Sequence, residues 1–252
     1  MPRETVDRSS TAPAWRGALD LVTTILMIGV AIAVLWRSLT IPTKAEARAP
    51  TIRIPSSPIA LEGRPEMGSE SARVALLVAS DFQCPFCAHF ATSTLPALLT
   101  RYVTTGQVQL FFLNNPLDMH PLAPKAAEAA LCANEQNQFW SFHDRLFAQP
   151  QDLTAVSLAR SAEATGLDVA AFQACVNGRM SERVAADRSL AKELGMQVTP
   201  SFLFGIVNAG AKSLIVLKTM AGAGSIDEFV TLLDGLIARY PSGANSTAAT
   251  GR

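Results

Sequence analysis

The sequence predicts an α/β domain whose sheet is interrupted by an all-helical block, with one apolar helix ahead of it. Three observations carry this. A short apolar run, Val74–Ala79, leads straight into a Cys-x-x-Cys motif that opens a helical pattern; from Lys125 to Leu194 the period is helical; strands resume only after Thr199-Pro200. The 252 residues suffice for one to two domains, and 49% hydrophobic against 17% charged residues is ample for a buried core. Lysine plus arginine and aspartate plus glutamate number 21 each, so there is no basic field for nucleic acid and no acidic surplus. The mean hydropathy of +0.23 is high for a soluble chain and is concentrated in part near the N-terminus.

Residues 18–36 carry no charge except Asp20. At ~1.5 Å per residue they reach about 28 Å, close to the hydrocarbon thickness of a bilayer. Trp15 and Trp36 stand at the two ends, where amphipathic rings favour the membrane interface, and Arg16 and Arg37 flank them. A buried core helix is one alternative. A cleaved signal peptide is the closer one, because Ala45-Glu46-Ala47 and Ala47-Arg48-Ala49 resemble small-residue cleavage sites. The run is longer than a ~7–15-residue signal core and those sites lie well beyond it, which favours an uncleaved signal anchor over 18–36. In that reading 1–17 is a cytoplasmic segment, although Arg3, Arg8 and Arg16 before the run are balanced by Arg37, Lys44, Arg48 and Arg53 after it. Pro42, Pro50, Pro55, Pro58 and Pro65 make 37–65 a stiff extended linker. The small polar residues of 241–252 form a disordered tail. One globular domain, 66–240, remains.

Its elements follow in order. Val74–Ala79 is continuously apolar and bounded by polar residues, as a fully buried strand is. After Cys84, the residues Phe90, Leu95, Leu98 and Leu99 recur at helical spacing; Pro85 fits the first turn, where its missing N–H has no partner, and Pro96 predicts a kink or break. Val108–Leu113 is a second strand, stopped by Asn114-Asn115-Pro116. Helices then follow: an alanine-rich stretch through Cys132, Phe139–Phe147, Thr154–Thr165 ended by Gly166, Asp168–Asn177 capped by Asp168, and Ser181–Leu194 closed by Gly195. Phe202–Val207 and Ser213–Leu217 form a hairpin across Asn208-Ala209-Gly210, and Ser225 caps a last helix ending at Tyr240.

Cys84 and Cys87 have an explicit chemistry. In a Cys-x-x-Cys that opens a helix, the first thiol faces unpaired backbone N–H groups and the positive end of the dipole, which stabilise its thiolate. Cys84 is then the nucleophile, exposed and attacking, while Cys87, one turn further in, is buried and resolves a mixed disulfide. Half of a zinc site is the alternative, but it needs two further ligands: Cys132 and Cys175 lie far apart and the three histidines show no ligand pairing. A copper module is set aside because the pair follows a buried strand. Neither a metal nor a cofactor is expected. Cys132 and Cys175 pack as two buried free thiols or pair as a structural disulfide. An even count outside the cytoplasm favours pairing, which over a loop of that length stabilises by about 4 kcal/mol in the chain-entropy model.

Several stretches together resemble a known family. Ser80-Asp81-Phe82-Gln83-Cys84-Pro85-Phe86-Cys87 is similar to the active-site segment of DsbA-like thiol:disulfide oxidoreductases, which are thioredoxin-fold proteins with a helical insertion. His120-Pro121 with Ala126-Ala127 and Leu131-Cys132-Ala133, then Gln138–Asp144 with Leu146-Phe147, then Gly166-Leu167-Asp168 with Phe172 and Cys175, resemble that insertion, here about 120–195. Leu194-Gly195 through Thr199-Pro200-Ser201-Phe202 looks like the loop in which the family carries a cis-proline. The resemblance implies a thioredoxin-like fold over 66–240, a cis Pro200 against Cys84, and a Thr199 backbone that pairs with an extended substrate peptide. Members commonly carry a buried acid at the position Val78 occupies here, so proton handling at Cys87 falls to water; Asp81 is placed at the strand end. The Pro85-Phe86 dipeptide gives the thiolate no polar group, and a potential less oxidising than that of the strongest members is expected. His89 either adds charge near the thiolate or is a surface residue; His120 and His143 are read as packing or capping groups.

The resulting expectation is a membrane-anchored, extracytoplasmic oxidoreductase that oxidises the dithiols of secreted proteins and is reoxidised by a quinone-linked membrane partner. Reduction or isomerisation through the same site is the nearest alternative, and a non-enzymatic anchored module binding metal or peptide is the one from another class.

Overall fold

The structure, a computed structural model, describes residues 15–40 and 51–242. Most of the expected cytoplasmic segment (1–14), the linker from 41 to 50 with its Ala-x-Ala triplets, and the tail from 243 lie outside these residues. The chain divides into two units, 1–48 and 49–252. In the first, the uncharged run lies within a helix, α1 (Trp15–Thr40), of 26 residues. Its side chains are described over 22–37, where Val22, Ile25, Leu26, Ile28, Val34 and Leu35 are all exposed. Among the described residues no helix is long and apolar enough to cross a membrane.

In the second unit, alternating side chains of apolar strands point to opposite faces, so a strand that is apolar throughout must be covered on both. Val74–Ser80 (β3) is buried at all seven positions, and so is Val108–Asn114 (β4). They pair in parallel, Val74 opposite Val108. Ser201–Asn208 (β5) runs antiparallel to β3 on its other side and pairs with Ser213–Ala221 (β6), the expected hairpin. A bulge falls at Phe204/Gly205, where any Cβ on Gly205 would lie 2.0 Å from the Ile215 carbonyl oxygen.

The linker expectation needs correction at its second half. Ile59–Ala60 (β1) pairs with β6 and Glu66–Met67 (β2) with β4, which gives the order β1-β6-β5-β3-β4-β2. Ile52, Ile59 and Leu61 are buried in the core, and Arg64 forms a 2.6 Å ion pair with Asp187. The domain therefore begins at about residue 51, not 66. Two-residue strands among prolines show no period, so the sequence pattern passes over them.

Pro85–His89 (α2) continues through a π-helical turn, Phe90–Thr94, into Leu95–Leu98 (α3) and a second π turn, Leu99–Val103. The expected break at Pro96 is instead this wide turn just before it, which absorbs the missing N–H without ending the helix. This long segment and Ile226–Arg239 (α9) cover one face of the sheet: Phe90, Leu95, Tyr102, Phe229 and Leu233 share a buried cluster with Leu76, Val78, Phe202 and Phe204. Ser225 closes a capping box with Glu228 at the start of α9. The helical block comprises Ala123–Asn134 (α4), Phe139–Ala148 (α5), Ala155–Ala164 (α6), Val169–Val176 (α7) and Ser181–Glu193 (α8). Asp168 and Thr154 accept from Ala171 and Ser157 N–H as N-caps. The end of α8 lies on the other sheet face with Ile52, Leu61 and Leu203, while α4–α7 form their own core, which includes Cys84 and Cys87. A disulfide between Cys132 and Cys175 ties α4 to α7, with Cα atoms 5.8 Å apart, so the free-thiol alternative does not hold.

Candidate active site

At the end of β3 the chain must turn from strand to helix, and Asp81 shapes that turn. Its Oδ1 accepts from the Gln83 N–H at 2.8 Å, and the Cys84 N–H donates to the Asp81 carbonyl at 3.1 Å. Cys84 is the N-cap residue of α2 with extended backbone angles, Pro85 follows at the first turn, and the Ala88 N–H closes the first helical bond on the Cys84 carbonyl at 3.0 Å. Its sulfur thus sits where helical N–H groups lack partners. The Gln83 side chain accepts from Leu122 N–H at 2.8 Å, which joins this turn to the start of the helical block.

Cys84 and Cys87 are both free thiols. Cys87 is fully buried, as expected, but Cys84 is only 4% exposed, which corrects the expectation of an open nucleophile. The loop before β5 lies over it: Thr199-Pro200 is a cis peptide, and the Cys84 thiol donates to the Thr199 carbonyl at 3.4 Å. Phe86, by contrast, is 65% exposed and forms the apolar surface beside the thiols. The buried Thr199 hydroxyl makes no hydrogen bond of its own in the thiol form. On ionisation the sulfur gains donors: the Cys87 thiol first, then the Thr199 hydroxyl, with the Cys87 and Phe86 N–H groups at the helix start. Together they outweigh burial and bring Cys84 down to about 5. Burial, followed by the neighbouring Cys84, pushes the Cys87 thiol well up. Neighbouring sulfurs are thus driven apart, one toward thiolate and one toward thiol.

The surrounding residues separate into two groups. Asp81, buried at the strand end, sends its N–H toward the Cys87 sulfur at 3.5 Å, and its Oδ2 takes the Leu117 N–H at 2.8 Å and His120 Nδ1 at 2.7 Å. His120 is therefore more than a packing group; it ties the active-site turn to the loop before α4. His89 is exposed and faces Ser93 Oγ at 3.4 Å, the surface alternative. His143 is buried among aromatic rings, with Nδ1 2.8 Å from Asp144. Reading residues singly missed the Asp81–His120 pair, whose signal was a buried-strand acid followed by His-Pro at the start of the helical block. Among the described residues no cluster of three or more His, Cys, Asp or Glu is placed to hold a metal, and Cys132 and Cys175 are bonded to each other.

Residues 61–213, more than half of the chain, match the thioredoxin family model. The chain belongs to the thioredoxin family. The thioredoxin domain is 27% identical over 144 residues to a probable disulfide bond formation protein D of Bacillus anthracis, a match over 54% of this chain and 66% of that protein. It is 34% identical over 164 residues to a Na(+)/H(+) antiporter NhaA 3 of Salinispora tropica, over 62% of this chain but only 24% of the antiporter. The chain thus spans about a quarter of that relative and just under two thirds of the disulfide protein. Among solved structures the domain resembles oxidised BdbD of Bacillus subtilis, with a TM-score of 0.63 at 20% identity over 75% of this chain and 99% of that one. Wolbachia pipientis alpha-DsbA1 follows with a TM-score of 0.62 at 21% identity, covering 72% and 94%. The fold of the thioredoxin domain is DsbA-like, with the helical insertion expected from the sequence.

Proposed function

We propose that the chain is a thiol:disulfide oxidoreductase that works on proteins outside the cytoplasm, with Cys84 as the attacking thiolate and Cys87 as the resolving thiol. The observation that carries the reading is the position of Cys84: at a helix N-terminus, against the Thr199 carbonyl, with a buried Cys87 one turn inward. In the oxidising direction a substrate thiolate attacks Cys84 in the Cys84–Cys87 disulfide, and Cys87 leaves and takes up a proton. A second substrate thiolate then attacks the substrate sulfur of the mixed disulfide, and Cys84 departs as a stabilised thiolate. Thr199, just before Pro200, offers its backbone to the substrate strand, and exposed Phe86 offers an apolar contact. The low thiol pKa at Cys84 makes it a good leaving group, which favours donation of disulfides over their reduction.

The apolar run at 18–36, whose one charge is Asp20, supports a single-pass anchor with the domain on the extracytoplasmic side, and a membrane quinone-linked partner would restore the disulfide. Replacing Cys84 by Ser removes disulfide transfer entirely, while Cys87→Ser accumulates a mixed disulfide that reductant releases; a Cys84→Ser protein that still transfers disulfides overturns the assignment. Alkylation trapping in intact cells fixes direction, since an oxidase rests with Cys84–Cys87 closed and a reductase or isomerase with it open. Retention of the domain in the membrane fraction after alkaline washing checks the anchor.

A further inference from the structure

Opening and closing the Cys84–Cys87 bond requires Cys87 to gain or lose a proton, yet Cys87 is fully buried. Beneath the active-site turn lies a cavity of about 10 Å³ lined by Val78, Ser80, Phe90, Phe112, Trp140 and His143. That is room for about one water molecule. The Trp140 N–H is committed to the Glu66 carbonyl at 2.8 Å, so Ser80 and His143 are the polar side chains left to face the cavity. The Ser80 hydroxyl acts on the Cys87 thiol, opposing part of the rise that burial causes. The His143 imidazole is 2% exposed, and its Nδ1 meets Asp144, whose own side chain is 71% exposed. Ser80 and His143 thus line one cavity, and the His143–Asp144 contact leads from it to the protein surface.

We propose that Ser80 and His143, across the cavity they share, relay the proton of Cys87, with Asp144 linking the imidazole to solvent. In the closing direction the Cys87 thiol passes its proton to the Ser80 oxygen as the Ser80 hydroxyl proton passes to a water molecule in the cavity and that water gives one of its protons to the imidazole, and the imidazolium is stabilised by the Asp144 carboxylate. The Cys87 thiolate attacks Cys84; the Cys84–Cys87 bond forms, the bond from Cys84 to the partner sulfur breaks, and the partner leaves as thiolate. In the opening direction Cys87 leaves as thiolate and receives the same proton back. The groups that face Cys87 are Cys84, Ser80 and the Asp81 N–H; those that face His143 are Phe82, Phe112, Phe139, Trp140 and Phe147, with Asp144 as the charged one. The Asp81 carboxylate is already held by Gln83, Leu117 and His120. Burial keeps the imidazole below its usual proton affinity and so neutral, the form that accepts a proton.

The inference rests on the exchange reading, and its test needs no protein substrate. The reduced full chain is treated with one equivalent of an aromatic disulfide reagent that releases thionitrobenzoate. Cys84 attacks first, and Cys87 then expels the second thionitrobenzoate as the ring closes, so the pH dependence of the second phase reads proton loss from Cys87. Ser80→Ala and His143→Phe each slow the second phase by about tenfold or more and move its pH midpoint upward, while the first phase keeps its rate and pH profile. The double variant is no slower than the slower single one, because both act on one path. A second phase unchanged in rate and midpoint in folded Ser80→Ala overturns the relay, whether or not His143→Phe folds. Failure to transfer disulfides to proteins refutes the exchange reading instead and leaves this phase measurable.

Discussion

A sulfur at a helix start is a better leaving group the more its thiolate is stabilised, and the reduced protein is favoured to the same extent. Cys84, at about 5, lies between the ~3.5 of the strongest oxidants of this kind and the ~7 of thioredoxin itself. The reduction potential should accordingly fall between about −120 mV and about −270 mV, as equilibration with glutathione measures. A value at the oxidising limit would show that Pro85 and Phe86, which bring no polar side chain to the sulfur, are outweighed by donors such as Thr199. At this scale the sequence was informative wherever the chemistry is local. The Cys-x-x-Cys spacing places one thiol at the helix cap and one inside it, and Pro85 marks the first turn. Local spacing could not reveal how closely Thr199 covers Cys84, because that contact joins residues 115 positions apart. Nor could it reveal the Asp81–His120 pair, which depends on where the loop before α4 folds back.

Elements with strong caps and long periods were legible, and short ones were not. β3, β4, the β5–β6 hairpin, the five helices of the block and α9 follow from apolar period and from caps such as Asp168 and Ser225. β1 and β2 escaped because each has two residues, and its partner strand is far away in sequence. The π turns around Pro96 escaped because a proline predicts a lost hydrogen bond, not which way the helix will accommodate it. The link between α4 and α7 carries its own prediction. Cys132→Ser with Cys175→Ser opens a loop of 43 residues and should lower unfolding free energy by about 4 kcal/mol in the chain-entropy model. Urea denaturation checks it, and reactivity of the Cys84 thiol should persist, since Cys84 is positioned by β3 and α2.

For the molecule as a whole, redox state and pH are coupled. In the reduced form the folded-state pKa of Cys84 is depressed from 9.0 to about 5, so its contribution to stability is complete above the unfolded value and is lost as pH falls through the folded one. Cys87, pushed the other way, weakens the fold only above its unfolded value near 9.0. The oxidised form has neither titration. The stability of the reduced protein relative to the oxidised one should therefore shrink as pH falls from 8 to 5; urea melts of both forms at several pH values measure the gap, and a constant gap contradicts it. The sheet itself has a further consequence. Both of its outer strands, β1 and β2, are two residues long and cover only Ser213–Leu214 of β6 and Leu110–Phe111 of β4. Under the proposed exchange function, these outermost strands are each too short for an extended client to pair along. Under that reading, backbone pairing with a client falls to the short stretch before Pro200, next to the sulfur that carries the exchange.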